Sequence, residues 1–205
     1  MKKSFLLIVL CVSAFIGVYA QKSDVEIKSQ LAKVEEFKLK CSFIKETEIY
    51  KVGGDLRVFC KIFTDLKTGD KVGALEFHPS KFLKMVSNLS GIDALPLGYL
   101  DIDQVDDLIL ALETIISESK KTDKKVKYAI SYTAPGGIDI LAGPALPGLP
   151  ADVVVFRKKW FKTDELGHQT CTYSEGTAGT TIAKLPELIT SLKEALQIAN
   201  KALGK

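Results

Sequence analysis

Hydrophobic residues recur along this chain with two periods, and the changes between them divide it. In "IDQVDDLILALETII", residues 102–116, Val105, Leu108, Ile109, Leu112, Ile115 and Ile116 stand three or four apart, the spacing that lines one face of a helix. "LPELITSLKEALQIANKAL" does the same with Leu185, Leu188, Ile189, Leu192 and Leu196, and Pro186 is tolerated there because it falls in the first turn. Both stretches predict helices lying on a sheet. Elsewhere the period is two. "FKLKCSF" alternates Phe37, Leu39, Cys41 and Phe43 with Lys38, Lys40 and Ser42, which predicts a strand with one wet face. "ETEIYKVGGDLRVFCKIF" holds two β-rich runs about Gly53-Gly54, a pair that accepts the positive φ angles of a tight turn. A second hairpin turns through Lys67-Thr68-Gly69-Asp70 and returns on Val72, Leu75 and Phe77. Ile27, Leu31 and Val34 predict a short helix ahead of these strands, and residues 79–100 are irregular, punctuated by Pro79, Gly91, Pro96 and Gly98.

The second half runs in the same order. "VKYAISY" alternates, "APGG" turns into "IDIL", and "DVVVFRKKWFKTDELGHQTCTY" reads as a strand, a turn through residues 163–167 and a return strand before the last helix. The fold class expected is α+β, built as two antiparallel ββββα-like units each packed by one amphipathic helix. Residues 21–121 form the first unit and 122–205 the second. At a constant offset of 80, Ile102, Leu108, Ile109 and Leu112 fall on Ile182, Leu188, Ile189 and Leu192. The strands match best at other offsets, Phe37 with Val126 and Phe63 with Phe161, which implies unequal insertions. Amphipathic helices match one another cheaply, so an internal duplication and an unrelated α+β chain with two sheet-covering helices both remain open.

The ends change the picture first. "MKKSFLLIVLCVSAFIGVYAQ" has a basic start, a short apolar core and a small-residue exit, which reads as a secretory signal cleaved near Ala20. Residues 1–20 are therefore left out of the fold, the location expected is periplasmic or secreted, and no later stretch is apolar enough to span a membrane. Without Lys2 and Lys3, the 28 basic residues become 26 against 25 acidic ones. That near-neutral balance, with Arg57 and Arg157 the two arginines, argues against nucleic acid as a partner, since arginine is the residue that grips phosphate in bidentate fashion. Cys41, Cys60 and Cys171 follow the signal. They are read as buried apolar cysteines, with a Cys41–Cys60 or Cys60–Cys171 bridge as the sharper alternative.

Four antiparallel strands and then a helix, twice over residues 37–203, resembles the layout of the whirly and PUR-type single-stranded nucleic-acid-binding folds. That resemblance implies binding through exposed aromatic and basic side chains on the sheets, here Phe59, Lys61, Phe63, Lys158 and Trp160. It rests on element order, and fold alone does not carry function.

Candidate chemistry is sparse. His168 and Cys171 in "HQTC" have a ligand-like gap, yet zinc sites draw on a second pair and none is evident. No serine-hydrolase or cysteine-protease signature surrounds any nucleophile. Asp101, Asp103, Asp106 and Asp107 lack the spacing of an EF-hand and suit a helix start, with Asp101 or Asp103 capping the first turn. "GTAG" is read as turn chemistry. The segment that stands out is "GGIDILAGPALPGLPADV", an apolar loop stiffened by Pro144, Pro147 and Pro150. It either folds back over a core edge or forms a contact surface. The function expected is an exported, non-enzymatic binding or interaction protein whose contact residues are Leu141, Leu146, Leu149 and Trp160. Its partner would be a protein or a small apolar ligand, with no cofactor, no metal and no catalytic residues. A small periplasmic hydrolase with a scattered site is the alternative, and it predicts His78 or His168 within reach of a carboxylate or nucleophile.

Overall fold

In a computed structural model, the structure describes residues 31–53, 56–79, 96–121, 129–143, 152–163, 169–173 and 177–205. The chain begins there with helix α1 (Lys33–Lys40), followed by strands β1 (Ile44–Val52), β2 (Arg57–Asp65), β3 (Lys71–His78) and β4 (Gly98–Asp101). A 3₁₀ turn over Ile102–Gln104 leads into helix α2 (Val105–Lys121). Strands β5 (Ile130–Thr133), β6 (Ile138–Ala142), β7 (Val153–Thr163), β8 (Gln169–Tyr173) and β9 (Ala178–Thr181) come next, then a second 3₁₀ turn over Ile182–Lys184 and helix α3 (Leu185–Leu203). The first sheet has the order β1-β2-β3-β4 and the second β5-β6-β7-β8, with β9 pairing β7, and every ladder is antiparallel. The protein is thus α+β with two antiparallel sheets, as the alternation predicted. Both hairpins of the first half stand where expected, and Gly69 takes the positive φ of 81° that the β2–β3 turn requires.

The ladders lay the two sheets out alike. One row across the first sheet runs Val52, Val58, Phe77, Gly98, and a row across the second runs Tyr132, Ile140, Phe156, Ala178. The neighbouring rows are Tyr50, Cys60, Leu75, Leu100 and Ile130, Ala142, Val154, Thr180. Counterparts in these rows stand 79 to 82 positions apart, so the unequal insertions expected from Phe37 and Phe63 do not separate the strands. Phe77 and Phe156, in corresponding places, stack on each other at 5.7 Å and 23°. On the helices, Lys193 pairs with Glu113 at 3.3 Å, and these too stand 80 apart.

One apolar core fills the space between sheets and helices. It takes in Cys60, Leu75, Phe77 and Leu100 from the first sheet and Ile138, Ile140, Val154 and Phe156 from the second. The helices contribute the stripes read from the sequence, buried at Leu108, Leu112 and Ile115 on α2 and at Leu185, Leu188 and Leu192 on α3. Helix α3 packs on β1, β2 and β3 of the first sheet, while α2 runs beside β5 of the second. Each helix therefore meets strands from the other half of the chain. Among the described residues, no helix is long and apolar enough to cross a membrane.

Three expectations are corrected. Residues 37–40 of "FKLKCSF" belong to α1, and the strand starts only at Ile44. The reason lies far away in sequence: the Asp101 carboxylate accepts the Lys33 and Val34 N–H groups at 2.7 and 3.1 Å, and Glu35 accepts that of Ala32 at 2.8 Å. Asp101 thereby serves the first turn of α1 and makes no cap bond to its own 3₁₀ turn. Burial pushes its carboxyl above the ordinary range, against the pull of those two N–H groups. The buried Lys158 ammonium completes the anchor, reaching both Glu35 oxygens at 3.2 Å and the Gly136 carbonyl at 2.6 Å. Second, β4 and β9 arise from stretches read as irregular or as turn chemistry, with Ala178 and Gly179 of "GTAG" in a strand. Third, Cys171 is exposed and Cys41 half-buried, leaving Cys60 as the buried cysteine, and all three are free.

Candidate functional site

The two helix–strand seams occupy corresponding places and differ in chemistry. At the first, α3 lies along β1. Tyr50 Oη donates to Glu194 Oε2 at 2.6 Å and shares a hydrogen bond of 3.1 Å with Ser191 Oγ, which also accepts the Gly53 N–H at 2.8 Å. A Cβ on Gly53 would stand 3.2 Å from that hydroxyl oxygen, so glycine lets the backbone come this close. The Glu194 carboxylate raises the Tyr50 pKa and keeps the hydroxyl a donor. Below it Cys60 directs its thiol at the Ala195 carbonyl, 3.9 Å away, and burial pushes the thiol pKa up to about 12. This seam is fastened by polar groups along the strand edge.

At the second seam, α2 lies beside β5. Tyr50 is replaced in its row by Ile130, and the positions 80 before Ser191 and Glu194 hold Ala111 and Thr114. None of the three can rebuild the fastening: isoleucine and alanine carry no polar atom, and the Thr114 hydroxyl donates back to the Leu110 carbonyl at 2.8 Å. What remains is a groove of about 310 Å³ lined by Leu110, Ala111, Ile115, Ile130 and Tyr132, with Asp107, Thr114 and Ser131 completing it. Leu110 is 63% exposed at its lip. Among the described residues Asp107 is the charged lining residue, and the Tyr132 pKa is raised by burial first and by that carboxylate second, which keeps its hydroxyl protonated. The volume lies at the lower end of the roughly 300–1,000 Å³ of small-molecule sites.

A polar network covers the outer face of the first sheet. The Lys61 ammonium lies against the Glu76 carboxylate, with Glu46 at 3.7 Å, while Lys38 bridges Glu46 at 2.9 Å and Tyr99 Oη at 3.1 Å. His78 Nε2 stands 3.5 Å from Glu76 Oε1, its ring edge-on to Phe59 at 5.3 Å, and its Nδ1 is buried with no partner among the described residues. The hydrolase alternative asked for a histidine beside a carboxylate, and His78 meets that condition. The carboxylate is already held by Lys61, however, and Cys60, one strand away, faces the opposite side in the core.

No family model, no curated protein and no solved structure matches this chain.

The groove must therefore be judged on its own residues, and of the contact residues read from the sequence Leu141 lies elsewhere. Leu141, on β6, packs half-buried against Val153 and Val155 on the outer side of the second sheet. Trp160 takes its place on β7 opposite Thr172. Leu146 and Leu149 lie outside the described residues, as does His168. Of the side chains that the fold resemblance would use, Phe63 is fully buried beneath α1 with Tyr99 at 5.8 Å, Lys158 is buried against Glu35, and Lys61 is paired. Among the described residues, no three His, Cys, Asp or Glu side chains gather as metal ligands. Sequence reasoning passed over the groove because its residues are ordinary in isolation. The available signal was Ile130 standing where the matching row has Tyr50, which becomes visible only after the register is known.

Proposed function

We infer that this is an exported, non-enzymatic binding protein that takes a small, mainly apolar molecule with a cationic or hydrogen-bond-donating end into the groove between α2 and β5. The supporting observation is the contrast between the seams: the same place in the fold is fastened by Tyr50, Ser191 and Glu194 in one half and left open and apolar in the other. The lining supports this choice of ligand chemistry. Leu110, Ala111, Ile115 and Ile130 offer an apolar wall for the body of the molecule, and Asp107 offers one negative charge for its end. Export is supported by the signal-like residues 1–20. We read the two units as an internal duplication, supported by the rows that correspond at offsets of 79 to 82 and by the stack of Phe77 on Phe156.

The test is a calorimetric titration with octylammonium, octanol and octanoate, each below its micelle concentration. Octylammonium binds tightest and octanoate weakest, by about tenfold between the extremes. Asp107→Asn removes that order while octanol binding persists. No saturable uptake of any of the three sinks the reading. A catalytic reading would draw on Glu76 and His78, and the ion pair between Lys61 and that carboxylate favours a structural role for both.

A further inference from the structure

Away from the groove, large apolar side chains are exposed together at one end of the first sheet. Leu39, near the end of α1, is 77% exposed, Phe43, just ahead of β1, 60%, and Leu66, in the β2–β3 turn, 62%. Phe43 and Leu66 are held side by side, since the Leu66 N–H donates to the Phe43 carbonyl at 3.0 Å. Solitary exposed apolar residues are ordinary, but two held side by side at the edge of a small protein, with a third exposed on the preceding helix, mark a contact surface.

The charges beside them say what kind. Lys67 holds its ammonium 5.5 Å from the centre of the Phe43 ring. Lys45 and Lys71 flank Thr64 in one row across the strands, both exposed and neither in an ion pair among the described residues. Of the acids nearby, Glu36 faces Lys40 at 3.6 Å, while Asp65 accepts the Lys67 N–H at 2.8 Å and Asp70 the Thr68 hydroxyl at 2.8 Å, so these two carboxylates keep their charge but are turned onto neutral donors of the turn itself. Exposed apolar side chains bordered by long, unpaired lysines suit the boundary of an anionic bilayer, where the apolar groups enter the acyl region and the ammonium groups meet phosphate. A second copy is a poorer occupant, because a twofold contact would set the same lysines against each other.

We propose that this end of the sheet, with Phe43 and Leu66 as its inserting residues and Lys45, Lys67 and Lys71 as its charged border, docks the protein reversibly on anionic lipid surfaces. The proposal does not depend on the groove. The experiment is co-sedimentation of the chain from Gln21 onward with vesicles of phosphatidylglycerol and phosphatidylcholine mixed, and of phosphatidylcholine alone; every described element and core residue lies at Ala32 or later. Expected are binding to the mixed vesicles that weakens with salt, little binding to phosphatidylcholine alone, and a loss of about fivefold for each lysine reversed in Lys45→Glu, Lys67→Glu and Lys71→Glu. The Phe43→Ser/Leu66→Ser variant, checked for an unchanged circular dichroism spectrum, loses at least as much as one lysine reversal. Unchanged vesicle binding by both sets of folded variants overturns the proposal. So does an absence of binding to the anionic vesicles, or a concentration-dependent self-association that Phe43→Ser/Leu66→Ser abolishes.

Discussion

The seam between α3 and β1 and the seam between α2 and β5 hold matching places in the strand rows and end with opposite surfaces. In the first, three polar contacts converge on Ser191 and Glu194 and leave the strand edge fastened to the helix. In the second, Ile130, Ala111 and Thr114 occupy the matching places, and the space that Tyr50 and Glu194 would fill stays open. The lesson is that a fold of this kind has a recess where the hydrogen-bonded pair is withheld and the helix stands farther from the sheet. It also shows how little is needed to close the recess, since a neutral hydrogen bond contributes about 0.5–1.5 kcal/mol and one to a carboxylate about 1.5–3 kcal/mol.

The comparison breaks most completely if the shared core is lost. Phe156→Ala removes one ring of the stack that joins the two sheets and lowers the unfolding free energy by about 3–5 kcal/mol in a urea titration. Phe77→Ala does the same, and the double variant falls short of the sum because the two rings share one contact. Next in size is the alkaline effect of the Cys60 thiol at the closed seam. Folded Cys60 keeps its proton to about pH 12, whereas an exposed thiol releases it near the ordinary value of 9.0, so between those values the folded state binds more protons and stability falls as pH rises. The loss is at most about 1.4 kcal/mol per pH unit. Cys60→Val flattens this limb, and an identical alkaline slope in that variant would remove the thiol as its cause. Smaller still is the difference between two tyrosines. Tyr50→Phe costs about 1 kcal/mol because it removes the bonds to Glu194 and Ser191, while Tyr132→Phe, at the open seam, is close to neutral. Equal costs for the two would erase the distinction between the seams.

The parts of the fold that were legible in the sequence are those whose pattern repeats over many residues. The stripes of α2 and α3, and the β1–β2 and β2–β3 hairpins around Gly53 and Gly69, follow from local spacing and turn chemistry. The closing strands β4 and β9 were not, because four residues carry too little alternation and their conformation is set by pairing with β3 and β7. The helix expected around Val34 is present, but the second half of α1 reads as a strand because Phe37, Leu39 and Cys41 alternate with lysines, and what favours the helix there is the Asp101 carboxylate, 68 residues away, together with Lys158, 123 residues from Glu35. The candidate site was hidden for the same reason. Tyr50 and Ser191 are 141 positions apart, and the significance of Ile130 and Ala111 lies in what they fail to do when placed on the matching row. The apolar loop stiffened by prolines drew attention because its composition is unusual locally, which is the kind of signal a sequence displays best.

The most direct measurement transplants the closed seam into the open one. In the triple variant Ile130→Tyr, Ala111→Ser and Thr114→Glu, the groove receives the groups that fasten its counterpart. Calorimetric titration with octylammonium should show affinity falling by at least about tenfold relative to the unaltered protein, while the urea midpoint of the variant stays the same or rises. Undiminished uptake by a folded triple variant would contradict the account, because the ligand would then be held somewhere other than between α2 and β5.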